Sequence, residues 1–447
     1  MHFRRMSSLI GITGTAIVLA AMAGGPTRAQ QPAKPGTQAA AARMEWPQWH
    51  GPKRDNISTD TGLARQWGPT GPPLAWQSAG LGLGFSSLAI TNGRIYTMGD
   101  HGSEQFVEAL NLTDGKLLWK TKVGPAHEDE YGGPRGTPTV DGALLYAVGT
   151  EGDVVCLDVA TGKEQWRRHL ERDFGGQMMS GWKFSESPLV DGDRVIVTPG
   201  ARAAALVALD KKTGQDVWRS EIPNLGTAGR DGAAYSSIVV SNGAGVKQYV
   251  QLLGRGVIGV RASDGKYLWG YNRVANNVAN ISTPIVEGDF VFASTGYQTG
   301  SALLKLAKSA DGVSATEVYF LDGKTFQNHH GGFLLLGQYI YGGHGHRRGA
   351  PICIDFATGK VVWGGEGTRN EGTGSAAITT ADGLLFFRYE DGTMMLIDAT
   401  PSGYQPKGFF KIPNVNRPSW AHPVVVGGKL FLREQDHLYV YNVARTS

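Results

Sequence analysis

Short apolar runs of about five residues, each ended by a turn, recur along most of the chain; Leu144-Leu145-Tyr146-Ala147-Val148 and Val154-Val155-Cys156-Leu157-Asp158 are typical. Runs of that length bounded by Asn-Gly, Asp-Gly or Thr-Gly predict β-strands joined by hairpins, because glycine takes up the positive φ that such turns need. The pattern is periodic. An apolar run closed by a turn glycine ends at Gly93, Gly142, Gly192, Gly243 and Gly288, and less perfectly at Gly337, Gly383 and Gly428, giving eight copies about 48 residues apart. A second landmark, glycine followed four residues later by tryptophan, falls at Gly115/Trp119, Gly162/Trp166, Gly214/Trp218, Gly265/Trp269 and Gly359/Trp363. The tryptophan follows the first turn glycine by 26 residues in four of these five copies and by 24 in the other. Two landmarks held in fixed phase mark one repeated structural unit.

Each unit holds four short antiparallel strands. Such a sheet cannot bury both faces alone, and a ring of stacked sheets covers the faces and leaves few exposed edges. After Val424-Val425-Val426 the last copy has residues for three strands only, ending at Tyr441, and it lacks the Gly and Trp pair. Pro73-Leu74-Ala75-Trp76, at the other end of the repeats, supplies the missing strand. The expected fold is therefore all-β: an eight-bladed β-propeller of four-stranded antiparallel blades over residues 73–447, its ring closed by an N-terminal strand that completes the last blade.

Composition agrees. Glycine accounts for 64 of 447 residues, and only 18% of residues are charged, which excludes a disordered or long-helical chain. Arg4-Arg5, the apolar run Ile10 to Ala23 and the small residues up to Ala29 read as a secretory signal over 1–29, too short to span a bilayer. Residues 30–45, rich in Ala, Gln and Pro, read as a flexible tether, and 46–72 as an N-terminal strap. The formal charge of +4 falls to +1 once Arg4, Arg5 and Arg28 are removed. That balance offers no electrostatic case for nucleic acid. No later apolar run suits a transmembrane helix. A periplasmic or secreted monomer is expected, with Sec or twin-arginine export left open. Cys156 and Cys353 fall in blades two and six, on opposite sides of the ring and too far apart to bridge.

The segments Asp158-Val159-Ala160-Thr161-Gly162-Lys163-Glu164-Gln165-Trp166 and Asp355-Phe356-Ala357-Thr358-Gly359-Lys360-Val361-Val362-Trp363 resemble the tryptophan-docking repeat of the pyrroloquinoline quinone (PQQ) dehydrogenase superfamily, a repeat shared by the non-enzymatic outer-membrane assembly scaffold BamB. With Trp46-Pro47-Gln48-Trp49-His50-Gly51-Pro52, the chain is similar to secreted PQQ-like propeller proteins. The resemblance implies that Trp76, Trp119, Trp166, Trp218, Trp269 and Trp363 dock one blade against the next. It leaves two functions open. One is an exported binding or scaffold protein whose partner is an envelope protein or a small molecule. The other is a PQQ- and Ca²⁺-dependent dehydrogenase of alcohols or sugars. The adjacent-cysteine pair common in those enzymes is missing from this sequence.

If the Asn-Gly, Asp-Gly and Thr-Gly turns share one face, the segments that lead into each first strand ring the channel mouth on the other. Those segments carry hydroxyls together with Arg135, Glu186, Asn280, His329, His330, Glu371 and His422. They form either a small-ligand or cofactor site, with Arg135, Lys183, Asn280, His330, Glu371 and His422 as its candidates, or merely a hydrated channel. Glu186, near Lys183 and Trp182, is the candidate general base or, with Asn280, a Ca²⁺ ligand by residue type. His329, His344 and His346 of blade six are candidate transition-metal ligands; an anion site using Arg347 and Arg348, or a solvated loop, are the alternatives.

Overall fold

The computed structural model of the protein describes residues 45–445. The signal expected over 1–29 and nearly all of the expected tether lie outside that range. Eight four-stranded antiparallel sheets follow one another around a ring. In blade one the strands A to D are Ala89–Thr91, Arg94–His101, Glu104–Asn111 and Leu117–Pro125. In blade six they are Phe333–Leu336, Tyr339–His344, Ala350–Asp355 and Val361–Gly364, and in blade seven Ala376–Ala381, Leu384–Tyr389, Thr393–Asp398 and Pro406–Lys411. Blade eight takes Val424–Val426, Lys429–Glu434 and His437–Asn442 from the C-terminal end. Its fourth strand is Leu74–Ala79, which pairs with His437–Asn442 in the register Leu74↔Tyr441 to Ala79↔His437. The ring closes as the strand count of the last repeat requires.

Burial explains the strand order. The A strands line the axis and are buried, as in Ala89–Thr91 and Val424–Val426, whereas the D strands face outward and alternate, as in Leu74–Ala79. Between neighbouring blades lie continuous apolar layers, for example Tyr96, Met98 and Val107 of blade one against Leu145, Ala147 and Val155 of blade two.

The phase between glycine and tryptophan has a packing cause. Gly162 sits at φ +72°, and a Cβ there would stand 2.5 Å from the Trp119 ring of the preceding blade. Trp119 Nε1 in turn donates to Val159 O at 3.1 Å. The same interblade bond links Trp166 to Lys211 O, Trp218 to Ala262 O and Trp363 to Thr400 O. Trp269 instead donates to Gln248 Oε1 within its own blade, and in blade five Tyr319 bonds Phe356 O across to blade six. Trp76 packs against Gly115 of blade one. Cys156 and Cys353 are unpaired and buried, and burial pushes their thiols up to about 12 and about 11, as inert structural cysteines require.

The segment ahead of the ring runs across it. Trp46 exchanges both backbone bonds with Ile90 of blade one, and Pro47 O accepts from Val140 N of blade two. Arg54 reaches Ser187 O and Pro188 O at 2.7 and 3.1 Å on the way into blade three. Ser58 N donates to Thr380 O of blade seven, and Ala64 N to Val443 O beyond blade eight. His50, Arg54 and Asn56 take positive φ of 60°, 57° and 64°, so the strap coils tightly where it crosses the axis. It divides the channel into a cavity of about 360 Å³ on one side and one of about 510 Å³ on the other; His50 and Thr283 border both.

Candidate functional site

The Asn-Gly and Asp-Gly turns joining A to B and the Thr-Gly turns joining C to D lie on one face, so the segments leading into the A strands and the B to C loops share the other. The smaller cavity opens there, with Trp49 and His50 of the strap against its inner end.

The hydroxyls of this face brace the ring. Thr137 N donates to Ser187 Oγ at 2.9 Å, Ser187 N to Ser237 Oγ at 2.9 Å, and Ser237 N to Thr283 Oγ1 at 3.2 Å. Each lead-in segment thus satisfies the backbone of its neighbour, and Ser87 Oγ closes on His422 O at 2.8 Å. Buried backbone donors need such partners, which explains serine and threonine at equivalent positions of successive repeats.

Larger groups supply the chemistry. Seven aromatic side chains line the cavity, namely Trp49, Phe85, Tyr131, Trp182, Tyr235, Tyr297 and Trp420. With them stand five imidazoles, of His50, His329, His330, His346 and His422, and the guanidinium groups of Arg135 and Arg347. None of the lining residues is a carboxylate. Arg135 is held in place by Trp182 O at 2.9 Å and Tyr131 O at 2.6 Å. Burial favours the neutral form of three of them: it takes His422 down to about 3 and lowers His50 and His329 well below the usual range, with neighbouring imidazoles adding to the effect. His50 Nε2 and His422 Nδ1 share a hydrogen bond at 3.2 Å.

Blade six contributes His329 and His330, stacked with ring centroids 3.6 Å apart. His329 bonds Ser375 Oγ at 2.9 Å and Tyr297 OH at 3.2 Å, and His346 stands 4.2 Å from its ring. His344 turns away from the cavity and stacks on Phe326, so it does not join His329 and His346. A carboxylate takes its place. Glu390, from the B to C loop of blade seven, brings Oε1 to 3.4 Å from His330 Nδ1. Sixty residues of sequence separate the pair, so only the apposition of two blades reveals it.

Of the other candidates, Arg135, His330 and His422 line the cavity, and Glu186, Lys183, Asn280 and Glu371 do not. Lys183 pairs with Glu151 at 2.8 Å. Glu371 is exposed beside Arg369 at 3.1 Å. Asn280 spends its amide on Leu253 O and Gly254 O and accepts from Asn276 N. Glu186 points into the joint between blades three and four, where Oε1 accepts from Thr198 N at 2.6 Å. A Ca²⁺ ion takes six to eight oxygen ligands. With Glu186 and Asn280 so engaged and no carboxylate in the lining, the cavity does not fit the Ca²⁺ of a quinone dehydrogenase.

Glu186 makes a pH prediction. Burial pushes its carboxyl up to about 7, against the Thr198 hydrogen bond and the Arg54 charge, which pull it down. A carboxyl raised in the folded state favours folding below its ordinary value of 4.5, and that contribution is lost as pH rises through 7. Glu186→Gln is therefore expected to stabilise the protein by about 2–3 kcal/mol near pH 8 and to change little near pH 4.5. Thermal melts of both proteins across that range check it, and equal stabilisation at both ends would refute it.

Comparison with known proteins agrees with the fold. The family profile described as outer membrane protein assembly factor BamB matches residues 103–365. BamB of Kangiella koreensis is 28% identical over 142 residues, 31% of this chain and 32% of that protein. BamB of Nitrosomonas eutropha is 26% identical over 170 residues, 38% of this chain and 34% of that protein. The alignments thus span about a third of each relative's length. The structure of BamB from Moraxella catarrhalis superposes with a TM-score of 0.59 and 13% identity, over 83% of this chain and 99% of that one. Quinohemoprotein alcohol dehydrogenase from Comamonas testosteroni gives a TM-score of 0.59 and 14% identity, over 92% and 82%. At such identity these structures speak for the fold alone. The family profile covers more than half of the chain, and on that ground the protein belongs to the BamB family of PQQ-like repeat β-propellers.

Proposed function

We propose that the protein is a binding module of the cell envelope that holds a small, planar, anionic ligand at its channel mouth. The observation that carries this reading is the cavity lining: seven aromatic rings and two guanidinium groups converge with no carboxylate among them. Aromatic faces take a flat ring, and arginine side chains take its carboxylate or phosphate edge. The envelope location rests on the signal read over 1–29 and on relatives named as outer-membrane assembly factors. The strap closes the inner end, which suits a ligand that enters from one face and stays.

Pyrroloquinoline quinone, a flat tricarboxylate, is a suitable probe, added with and without Ca²⁺. It is expected to quench the tryptophan fluorescence of Trp49, Trp182 and Trp420 and to raise the melting temperature equally in both conditions, without alcohol-dependent dye reduction. Arg347→Ala, which removes an exposed guanidinium at the cavity rim, is expected to weaken binding about tenfold or more. Alcohol-dependent dye reduction that requires Ca²⁺ would replace the binding reading with the dehydrogenase. No spectral or thermal response to planar polycarboxylates would remove the ligand reading altogether.

A further inference from the structure

We propose that His329, His330 and Glu390 form a binding site for a divalent transition-metal ion, set in the wall of the aromatic cavity where blade six meets blade seven. One ligand atom from each residue lies within 4.8 Å of the other two. The set is two imidazoles and a carboxylate, a donor combination that suits zinc and its first-row neighbours and not an all-oxygen ion such as Ca²⁺.

Two atoms of this set lack any other use. His330 Nδ1 and Glu390 Oε1 are both buried without a hydrogen-bond partner. They stand 3.4 Å apart, beyond the usual length of a charge-assisted hydrogen bond. A tetrahedral ion with bonds of about 2.0–2.2 Å holds its ligand atoms ~3.3–3.5 Å apart, so this pair already has the spacing that an ion requires. His329 lies farther off, and an ion would draw it in by about 1 Å, fanning open its stack on His330. Its Nδ1 and Nε2 bond Ser375 Oγ and Tyr297 OH; one of these bonds gives way when its nitrogen takes the ion, and the other is the kind of outer contact that fixes a metal-bound imidazole.

The main chain of Glu390 is held on both sides. Ser419 N donates to Glu390 O at 2.8 Å, and Glu390 N to Ser375 O at 3.1 Å. A Cβ at Gly374 would come within 2.5 Å of Glu390 Oε2, and that glycine holds φ at +84°. A side chain at residue 374 would therefore displace the carboxylate. The charge that opposes an ion here is Arg347, next to His346 at the rim; Glu390 offsets it. His329 and His330 face the cavity and Glu390 lies behind them, so a vacant coordination position would open towards whatever occupies the cavity. This inference does not depend on the planar-anion reading, and its test uses no organic ligand.

The experiment takes the chain without its leader and without an affinity tag, dialysed against a chelator. Zn²⁺ is titrated by calorimetry, and Co²⁺ by its visible ligand-field absorption. The expected result is a single ion per chain, with Zn²⁺ raising the melting temperature. Glu390→Gln and His330→Ala are each expected to weaken binding about a hundredfold and to abolish that thermal shift, whereas His344→Ala leaves both intact. Glu390→Gln is isosteric, and an unchanged melting temperature without metal shows that it folds. No binding by the parent chain would overturn the proposal. So would full binding by Glu390→Gln, which would place the ion on other histidines, or loss of binding in His344→Ala.

Discussion

Arg388→Met lowers the stability of the ring by about 3–5 kcal/mol, the expected cost of breaking a buried ion pair from one side. Arg388, in strand B of blade seven, has no exposed side-chain surface and meets Glu434 of blade eight at 2.7 Å. It also donates to Ser419 Oγ, to Ala421 O at 2.6 Å and to Arg433 O. Arg433 carries the network onward to Thr97 Oγ1 and Met98 O of blade one. One cluster of charges therefore ties three successive blades together beside the closing strand. Methionine fills the space but leaves the buried Glu434 carboxyl with Ser419 Oγ as its one hydrogen-bond partner. With an unfolding entropy of ~2.1 cal/mol/K per residue over ~400 residues, the loss appears as a fall of about 4–6 °C in melting temperature. Arg388→Met combined with Glu434→Leu is expected to recover most of it, since removing both charges also removes the desolvation cost. A single variant that melts with the parent would show that the pair contributes nothing net.

The second large effect belongs to the strap. Arg54→Met is expected to cost about 3 kcal/mol and to loosen the floor of the aromatic cavity. The Arg54 side chain donates to Gln48 Oε1 at 3.0 Å, besides Ser187 O and Pro188 O. Burial lowers this guanidinium to about 10, and the Glu186 charge works against that drop. Without Arg54, Ser187 O loses its donor while Pro188 O keeps Thr139 Oγ1, and Glu186 loses the cation that moderates its own burial. Adding Glu186→Gln to Arg54→Met should restore part of the stability near pH 8 and none near pH 4.5, because only the ionised carboxylate needs the cation. Limited trypsin digestion reports the strap directly. Faster cleavage at Lys53 or Arg65 in Arg54→Met than in the parent is the expected result, and equal rates would show that the strap is held without Arg54.

Much of the ring was legible from sequence because its determinants are local. A turn glycine and an indole 26 residues later answer to one hairpin and its neighbour, so their spacing survives as a pattern. The missing strand of blade eight was found by counting. The cavity was legible in outline only. Arg135, His329, His330, His346 and His422 do line it, and Glu186, Lys183, Asn280, Glu371 and His344 do not. Alternation along a lead-in segment does not say which polar side chain faces the axis and which enters a joint between blades. The hydroxyl ring looked like ligand chemistry and proved to be interblade hydrogen bonding. Trp49 and His50 sit in a segment without periodicity, and Glu390 reaches His330 from another blade. Neither placement leaves a mark on spacing.

The strand Leu74–Ala79 pairs with residues more than 350 positions away in the chain. During synthesis on a ribosome that partner does not yet exist. Seven blades can form in order as they emerge, each against the one before, while Leu74–Ala79 waits with its strand edges unpaired. Pairing between segments so distant is entropically slow, and a waiting apolar edge is an invitation to aggregation. A premature stop anywhere before His437 would leave that edge permanently open, so closure of the ring depends on its latest-made strand.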